Sequence, residues 1–344
     1  MRRVLIGLAG LYVTLILVGA TPAHAQSLPS LDEATALLKK AIDATNLKGP
    51  GVPPFHLVAK IHYVLDDKTA DGMYEILYAA SDRYRVQLEL DGVGETDVAV
   101  GNKIYILRAT PTMTYPFWSL QDFLWQPGWP FLGVRPKATR VYASTSGTEA
   151  RPCLDAESEK PVIKQVCFDP ASNAVVSIHV GGNPQVGDPK HVGFESDLDD
   201  FVDFRPARYP RRLHKQFFRE IIDATVEKLV PVDKFADDAF TPPPNAQVRD
   251  WCASPVLGKA ARPPTPTMHF IDPWLEMKDF MAIYLLVSRD GNVKNILMIH
   301  PSNNAGANAW FGGATKIARF VTHTCDGKAV EYETVTIGGA PGQF

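Results

Sequence analysis

The residues with the most chemical potential are four cysteines, Cys153, Cys167, Cys252 and Cys325, and a few histidines near them or near one another. Cys153 and Cys167 flank Asp155-Ala156-Glu157-Ser158-Glu159-Lys160-Pro161, a polar stretch that reads as a hairpin turn. The two thiols then face each other across antiparallel strands, and Cys252 and Cys325 pair by elimination. A four-cysteine zinc site would need paired C-x-x-C spacing, which the chain lacks. His56 and His62 stand six apart on one strand face, too far to share a metal without a third ligand between. His323 and Cys325 have ligand chemistry at i, i+2, but a disulfide at Cys325 removes the thiolate. No metal and no cofactor is therefore expected.

Catalytic signatures are missing. The chain has no G-x-S-x-G, H-E-x-x-H or P-loop, and Gly92-Val93-Gly94 lacks the third glycine of a dinucleotide site. With 35 Lys plus Arg against 38 Asp plus Glu, the net charge of −3 argues against a nucleic-acid partner. The one basic cluster is Arg205, Arg208, Arg211, Arg212, His214, Lys215 and Arg219. It reads either as a contact for anionic headgroups or as a solvated face balanced by Asp197, Asp199, Asp200 and Asp203. An aromatic-dense stretch, Tyr115 to Phe131, suits either a core or an apolar cavity. Tyr63, Tyr74, Trp118, Trp125 and Trp129 are the candidate cavity residues. A non-enzymatic protein is expected.

These residues need a scaffold, and the chain's first segment says where it folds. Met1-Arg2-Arg3, the apolar run Val4 to Ala20, and Ala23-His24-Ala25 before Gln26 have the layout of a cleaved secretory signal. An uncleaved inner-membrane anchor is the alternative. Export places the cysteines in an oxidising compartment, where disulfides persist.

From residue 26 to 240 the pattern predicts a mostly antiparallel β domain. Ser30-Leu31-Asp32-Glu33 is a capping box opening an amphipathic helix over 31–45. From Phe55 the period switches to two: Phe55, Leu57, Ala59, Ile61, Tyr63 and Leu65 share one face, opposite His56, Lys60 and His62. Further alternating runs separated by Asp91-Gly92 and Gly101-Asn102 predict a sheet with one wet face. Phe194–Phe204 and Leu213–Val230 also alternate; the second suits strand or helix, and the turns around it favour a strand pair. Residues 241–266, bracketed by Thr241-Pro242-Pro243-Pro244 and Arg262-Pro263-Pro264, read as a linker to a last unit over 267–344. That unit reads as strand 281–287, turn Asp290-Gly291, strand 293–299, helix 307–319 and strand 329–337. The fold class is α+β: an antiparallel half-barrel with covering helices, then a small β-β-α-β unit.

Two resemblances follow from these residues. Val287 to Val293, the helix ending Ile317-Ala318-Arg319-Phe320, and Cys325-Asp326-Gly327-Lys328 with Glu333-Thr334-Val335 resemble a TonB C-terminal domain over about 265–337. The chain departs from that pattern at Ala318, where an aromatic is usual, and at Val321, where a proline is usual. Residues 30–240, with Asp71-Gly72-x-Tyr74 and Ser81-Asp82-Arg83-Tyr84-Arg85, resemble the LolA/LolB lipoprotein-carrier fold in layout.

The TonB-like resemblance implies a periplasmic scaffold that engages a cell-envelope protein, such as an outer-membrane receptor or lipoprotein, by strand addition. Val330, Tyr332, Glu333, Thr334 and Val335 would form that edge, with Glu331 and Glu333 keeping it soluble. The LolA-like resemblance implies instead a carrier holding a lipid or acyl chain in the N-terminal cavity. An anchored energy transducer is the third reading, ranked last because a whole folded domain stands where such proteins carry a spacer.

Overall fold

In the computed structural model the described residues are 28–128, 137–144, 151–157, 164–169, 172–181, 192–253, 255–257 and 280–338. The expected signal segment and Trp129 lie outside them. Among the described residues no helix is long and apolar enough to cross a membrane.

The capping box opens α1 (Leu31–Ala44) as its sequence predicts, with Ser30 and Glu33 satisfying each other's backbone N–H groups. The alternating runs become β1 (Phe55–Leu65), β2 (Lys68–Ala80), β3 (Arg83–Leu90), β4 (Val93–Val100) and β5 (Lys103–Arg108). The aromatic stretch forms α2 (Tyr115–Trp125), capped by Thr114. Seven strands follow: β6 (Lys137–Ser144), β7 (Arg151–Glu157), β8 (Lys164–Phe168), β9 (Val175–Gly181), β10 (Val192–Phe204), β11 (Ala207–Phe217) and β12 (Glu220–Pro231).

These strands join one antiparallel sheet in the order β5-β4-β3-β2-β1-β12-β11-β10-β9-β8-β7-β6. The chain builds one half from β1 outward to β5 and crosses through α2 to the far end. It then returns strand by strand until β12 pairs with β1, Phe55 opposite Pro231 and Leu65 opposite Glu220. Among the described residues the end strands do not pair with each other, so the sheet is open. Inward residues Phe55, Leu57, Ala59, Ile61 and Tyr63 are buried while Lys60 and His62 are exposed, the split that a period of two predicts. Gly72 is required in β2, because a Cβ there would lie 1.9 Å from the Glu89 carbonyl oxygen on β3.

The segment 241–266, expected as a linker, is partly sheet. Gln247–Asp250 forms β13, which pairs with β5 and extends the sheet to 13 strands. The free backbone edge of β5 is a ready template for another strand. Trp251 then pins the chain by donating its backbone N–H to Asn102 O at 2.8 Å. A short β14 (Val256–Leu257) pairs with β17 (His323–Cys325).

The last unit contains β15 (Met281–Val287), β16 (Val293–His300) and α3 (Ala305–Ile317), then β17, β18 (Lys328–Val330) and β19 (Tyr332–Gly338). Here the single expected strand 329–337 divides at Glu331. β18 hairpins onto β17 around Asp326-Gly327, while β19 pairs with β15 in a separate sheet of order β16-β15-β19. Gly291 (φ +81°) is needed at the β15–β16 turn, where a Cβ would meet the Phe320 carbonyl oxygen at 2.4 Å. β15 is buried on both faces. Ala282 and Tyr284 join the main core with Phe280 and Val335, whereas Met281, Ile283, Leu285 and Val287 pack on Ala307 and Phe311 of α3. The C-terminal unit is therefore cored against the large sheet, not tethered beside it.

Both expected disulfides are present. Cys153 and Cys167 are register partners on β7 and β8, and Cys252 binds Cys325 across 73 residues of sequence.

Candidate binding cavity

α2 carries the residues that shape the site. Trp118, Gln121, Asp122 and Trp125 recur at i, i+3, i+4 and i+7, so one face of the helix turns toward a cavity of about 880 Å³. Tyr78 of β2 and Tyr84 of β3 continue that wall. The Trp125 ring lies 5.5 Å from Tyr78 and 5.9 Å from Tyr84, both edge-on, and Tyr84 is 5.6 Å from Trp251. Edge-to-face contacts of this kind align the negative face of one ring with the positive edge of the next, which holds the wall rigid.

Lys48, in the loop after α1, sets its Nζ 4.6 Å from the Trp125 ring centroid. The ammonium reaches cavity solvent yet is crowded by protein, and that desolvation lowers its pKa, with Asp122 opposing. Burial raises the Asp122 carboxyl in turn, with Lys48 and Lys215 opposing. The aromatic wall thus carries one cation and one acid.

The opposite wall is the C-terminal unit, from Val330 to Thr334, with the His323 ring stacked on Tyr332 at 3.6 Å. At the junction of the walls is a buried ion cluster. Arg108, at the end of β5, lies 3.0 Å from Glu333, 3.3 Å from Asp97 and 3.4 Å from Glu95. Arg249 of β13 also pairs with Glu333 and takes a position 3.3 Å from the Tyr284 hydroxyl, which donates to Glu333 at 2.5 Å. Two arginines thus face three carboxylates. Burial pushes Asp97 up to about 7, with Arg108 opposing, and raises Glu95 against its Thr114 hydrogen bonds. Burial and the neighbouring Glu333 push Tyr284 up to about 12. The cluster ties β4, β5 and β13 to β15 and β19, so it fixes the cavity's width.

The structure divides the expected site residues. Trp118 and Trp125 line the cavity. Tyr63 and Tyr74 do not, since both are core: Tyr63 donates to Glu220 at 3.2 Å and Tyr74 is fully buried. Their inward positions come from strand alternation, which brings core and cavity residues to the same face. Val330 ends β18, while Tyr332, Glu333, Thr334 and Val335 are on β19, an outer strand of its sheet. Glu333 was expected to keep that edge soluble; instead its side chain is only 10% exposed and is held by Arg108 and Arg249. The basic cluster is mostly paired on the outer surface, Arg211 with Asp200 and Arg212 with Asp199. Lys215 is the exception, buried against Glu220 at 2.9 Å and Ser119 at 2.5 Å.

Sequence reasoning missed Lys48, Asp97, Arg108 and Arg249. A partial signal for the cluster did exist: Glu95 and Asp97 occupy i, i+2 positions, which puts both carboxylates on one face of a strand.

No protein-family model matches the chain, and no curated protein does. Solved structures give distant matches. A LolA superfamily protein from Nitrosomonas europaea is 12% identical with a TM-score of 0.40, covering 60% of this chain and 97% of that one. A DUF1329 family protein from Desulfovibrio piger is 7% identical at a TM-score of 0.39, covering 61% and 96%. The MucA/MucB complex of Pseudomonas aeruginosa matches at 11% identity and a TM-score of 0.30, over 90% of this chain and 94% of that one.

Proposed function

We propose that this chain is an exported, non-enzymatic binding or carrier protein of the cell envelope that takes an amphiphilic ligand into the cavity. The observation that carries this reading is the composition of the cavity itself: an aromatic wall of Trp118, Trp125, Tyr78 and Tyr84 facing charged groups across about 880 Å³. A volume of that size lies within the range of small-ligand pockets, which combine apolar walls with a few placed polar groups. An acyl chain would lie on the aromatic wall and its polar head would meet Lys48 or Asp122. Two disulfides support an oxidising compartment outside the cytoplasm.

The test is titration of the purified chain with a dansyl-labelled fatty acid, followed by energy transfer from tryptophan. Saturable transfer that unlabelled lipid competes away supports the reading. No saturable uptake by chain stripped of endogenous lipid removes it.

A second reading rests on β19. It is an outer strand, and Val330 to Thr334 border the same cavity. An envelope protein could add a strand there through backbone pairing. The two readings separate in one experiment: bound lipid would block capture of an extended peptide at this edge only if both use the cavity.

A further inference from the structure

On the outer face of the sheet, away from the cavity, β9, β10 and β11 bring together donors that neither binding reading uses. His179 on β9 is the register partner of Glu195 on β10. Asp197 stands two residues further along β10, on the same face, because Phe194, Ser196 and Leu198 between and beside them point into the core. One ligand atom from each of His179, Glu195 and Asp197 falls within 4.8 Å of the others.

We propose that His179, Glu195 and Asp197 bind a divalent transition-metal ion. The charge balance fits, since one neutral imidazole and two carboxylates neutralise a dication. The donor types fit too: imidazole with carboxylate suits zinc-class ions, whereas calcium and magnesium prefer all-oxygen sets. The spacing leaves room for the ion. His179 Nδ1 is 3.7 Å from the Glu195 carboxylate, beyond a hydrogen bond. Ligands about 2.1 Å from zinc in a tetrahedron stand about 3.4 Å apart, so modest side-chain rotation closes the set.

The neighbouring strands distinguish this triad from an ordinary charged face. Two other exposed histidines among the described residues are already committed: His214 Nδ1 to Asp223 at 2.6 Å, and His62 Nδ1 to Asp71 at 2.8 Å. His214 is opposite Asp197 in register, so it borders the site while held by its own acid. Water completes the coordination, because the face is open to solvent.

Isothermal titration of the full chain, both disulfides intact, with zinc chloride tests the site. The expected result is one strongly bound ion per chain, weakened at least tenfold by His179→Ala and by Asp197→Asn, and unchanged by His62→Ala. Absence of zinc uptake would overturn the proposal. So would retention of full affinity in His179→Ala, or calcium bound as tightly as zinc. If His179→Ala fails to fold, as judged by its metal-free melting curve, the exposed Asp197→Asn variant decides by the same criteria.

Discussion

Arg108 and Glu333 are 225 residues apart in sequence and 3.0 Å apart in space, each nearly sealed from solvent. This pair clamps the C-terminal unit to the edge of the large sheet. Removing one member of a buried pair leaves an uncompensated charge, which costs about 3–5 kcal/mol. Glu333→Ala leaves Arg108 with Glu95 and Asp97 as partners, so it is expected to lower unfolding stability by less than that amount in a urea titration. It should also expose 280–338 to limited proteolysis before the rest. Arg108→Met would act in the same direction, because Asp97, Glu95 and Glu333 would then face one another with Arg249 alone. Unchanged proteolysis would show that core packing alone holds the unit.

Asp97 gives that clamp a pH dependence. Its folded pKa is raised to about 7 from 3.8, first by burial, with Arg108 opposing. Between those values the folded state holds a proton that the unfolded chain has lost. Stability from this group is thus greatest at the acid end of the window and falls as pH rises through about 7. Glu95 is shifted in the same direction, so it adds to the slope. Melting temperatures at pH 5 to 8 are expected to decline for the native chain, and the decline is expected to be shallower for Asp97→Asn. Parallel curves would remove Asp97 as the source.

Much of the scaffold was legible because it depends on local periodicity. Phe55 to Leu65 announces a half-buried strand, and Ser30 with Glu33 announces a helix start, from residues next to each other. Cys153 and Cys167 were legible for the same reason, being neighbours across one hairpin. β13 was not legible: Gln247–Asp250 offers one apolar residue, Val248, which stays 52% exposed, and prolines precede it. Its strand state comes from the open backbone edge of β5, which no local pattern encodes. Glu333 failed for a related reason. Between Tyr332 and Thr334 it reads as an outward residue, and only the arrival of Arg108 and Arg249 from distant strands makes it an inward one.

Within α2, two tryptophans are expected to separate ligand binding from folding. Trp118 is half-buried at the cavity wall, whereas Trp125 is 1% exposed and contacts Phe55, Tyr78 and Tyr84. Trp125→Ala should cost about 3–5 kcal/mol, the range for deleting a buried large aromatic. Trp118→Ala should cost about 1 kcal/mol while weakening dansyl-fatty-acid binding several-fold. Equal affinity in the native chain and Trp118→Ala would place the acyl chain elsewhere.

Disulfide loss should differ between the two bridges. In the chain-entropy account, a link that closes a longer loop removes more freedom from the unfolded chain. Cys153–Cys167 closes a separation of 14 and Cys252–Cys325 one of 73, which gives about 3 and about 4 kcal/mol respectively. The second bridge has another effect, because it ties the chain after β13 to β17 and so borders the cavity. A Cys252→Ser/Cys325→Ser chain is expected to lose more stability in a urea titration than Cys153→Ser/Cys167→Ser, and also to bind the labelled fatty acid less tightly. Loss of binding only in the Cys153/Cys167 variant would contradict the placement of the site.

Lys215 and Glu220 supply the sharpest contrast between burying charge and pairing it. The two lie 2.9 Å apart at the end of the β11–β12 hairpin, with Tyr63 and Tyr115 each donating to Glu220 at 3.2 Å and Ser119 beside Lys215. Glu220 is fully buried, so Lys215 and those hydroxyls stand where water would otherwise hydrogen-bond its carboxyl group. Lys215→Met alone would strand the carboxylate and is expected to destabilise by about 3–5 kcal/mol. Lys215→Met with Glu220→Gln removes both charges and leaves an amide the tyrosines can still reach. Because desolvation offsets much of a buried pair's attraction, the double variant should recover most of the loss. A double variant no more stable than the single would mean that the ion pair itself, and not the avoidance of a lone buried charge, holds α2 against this hairpin.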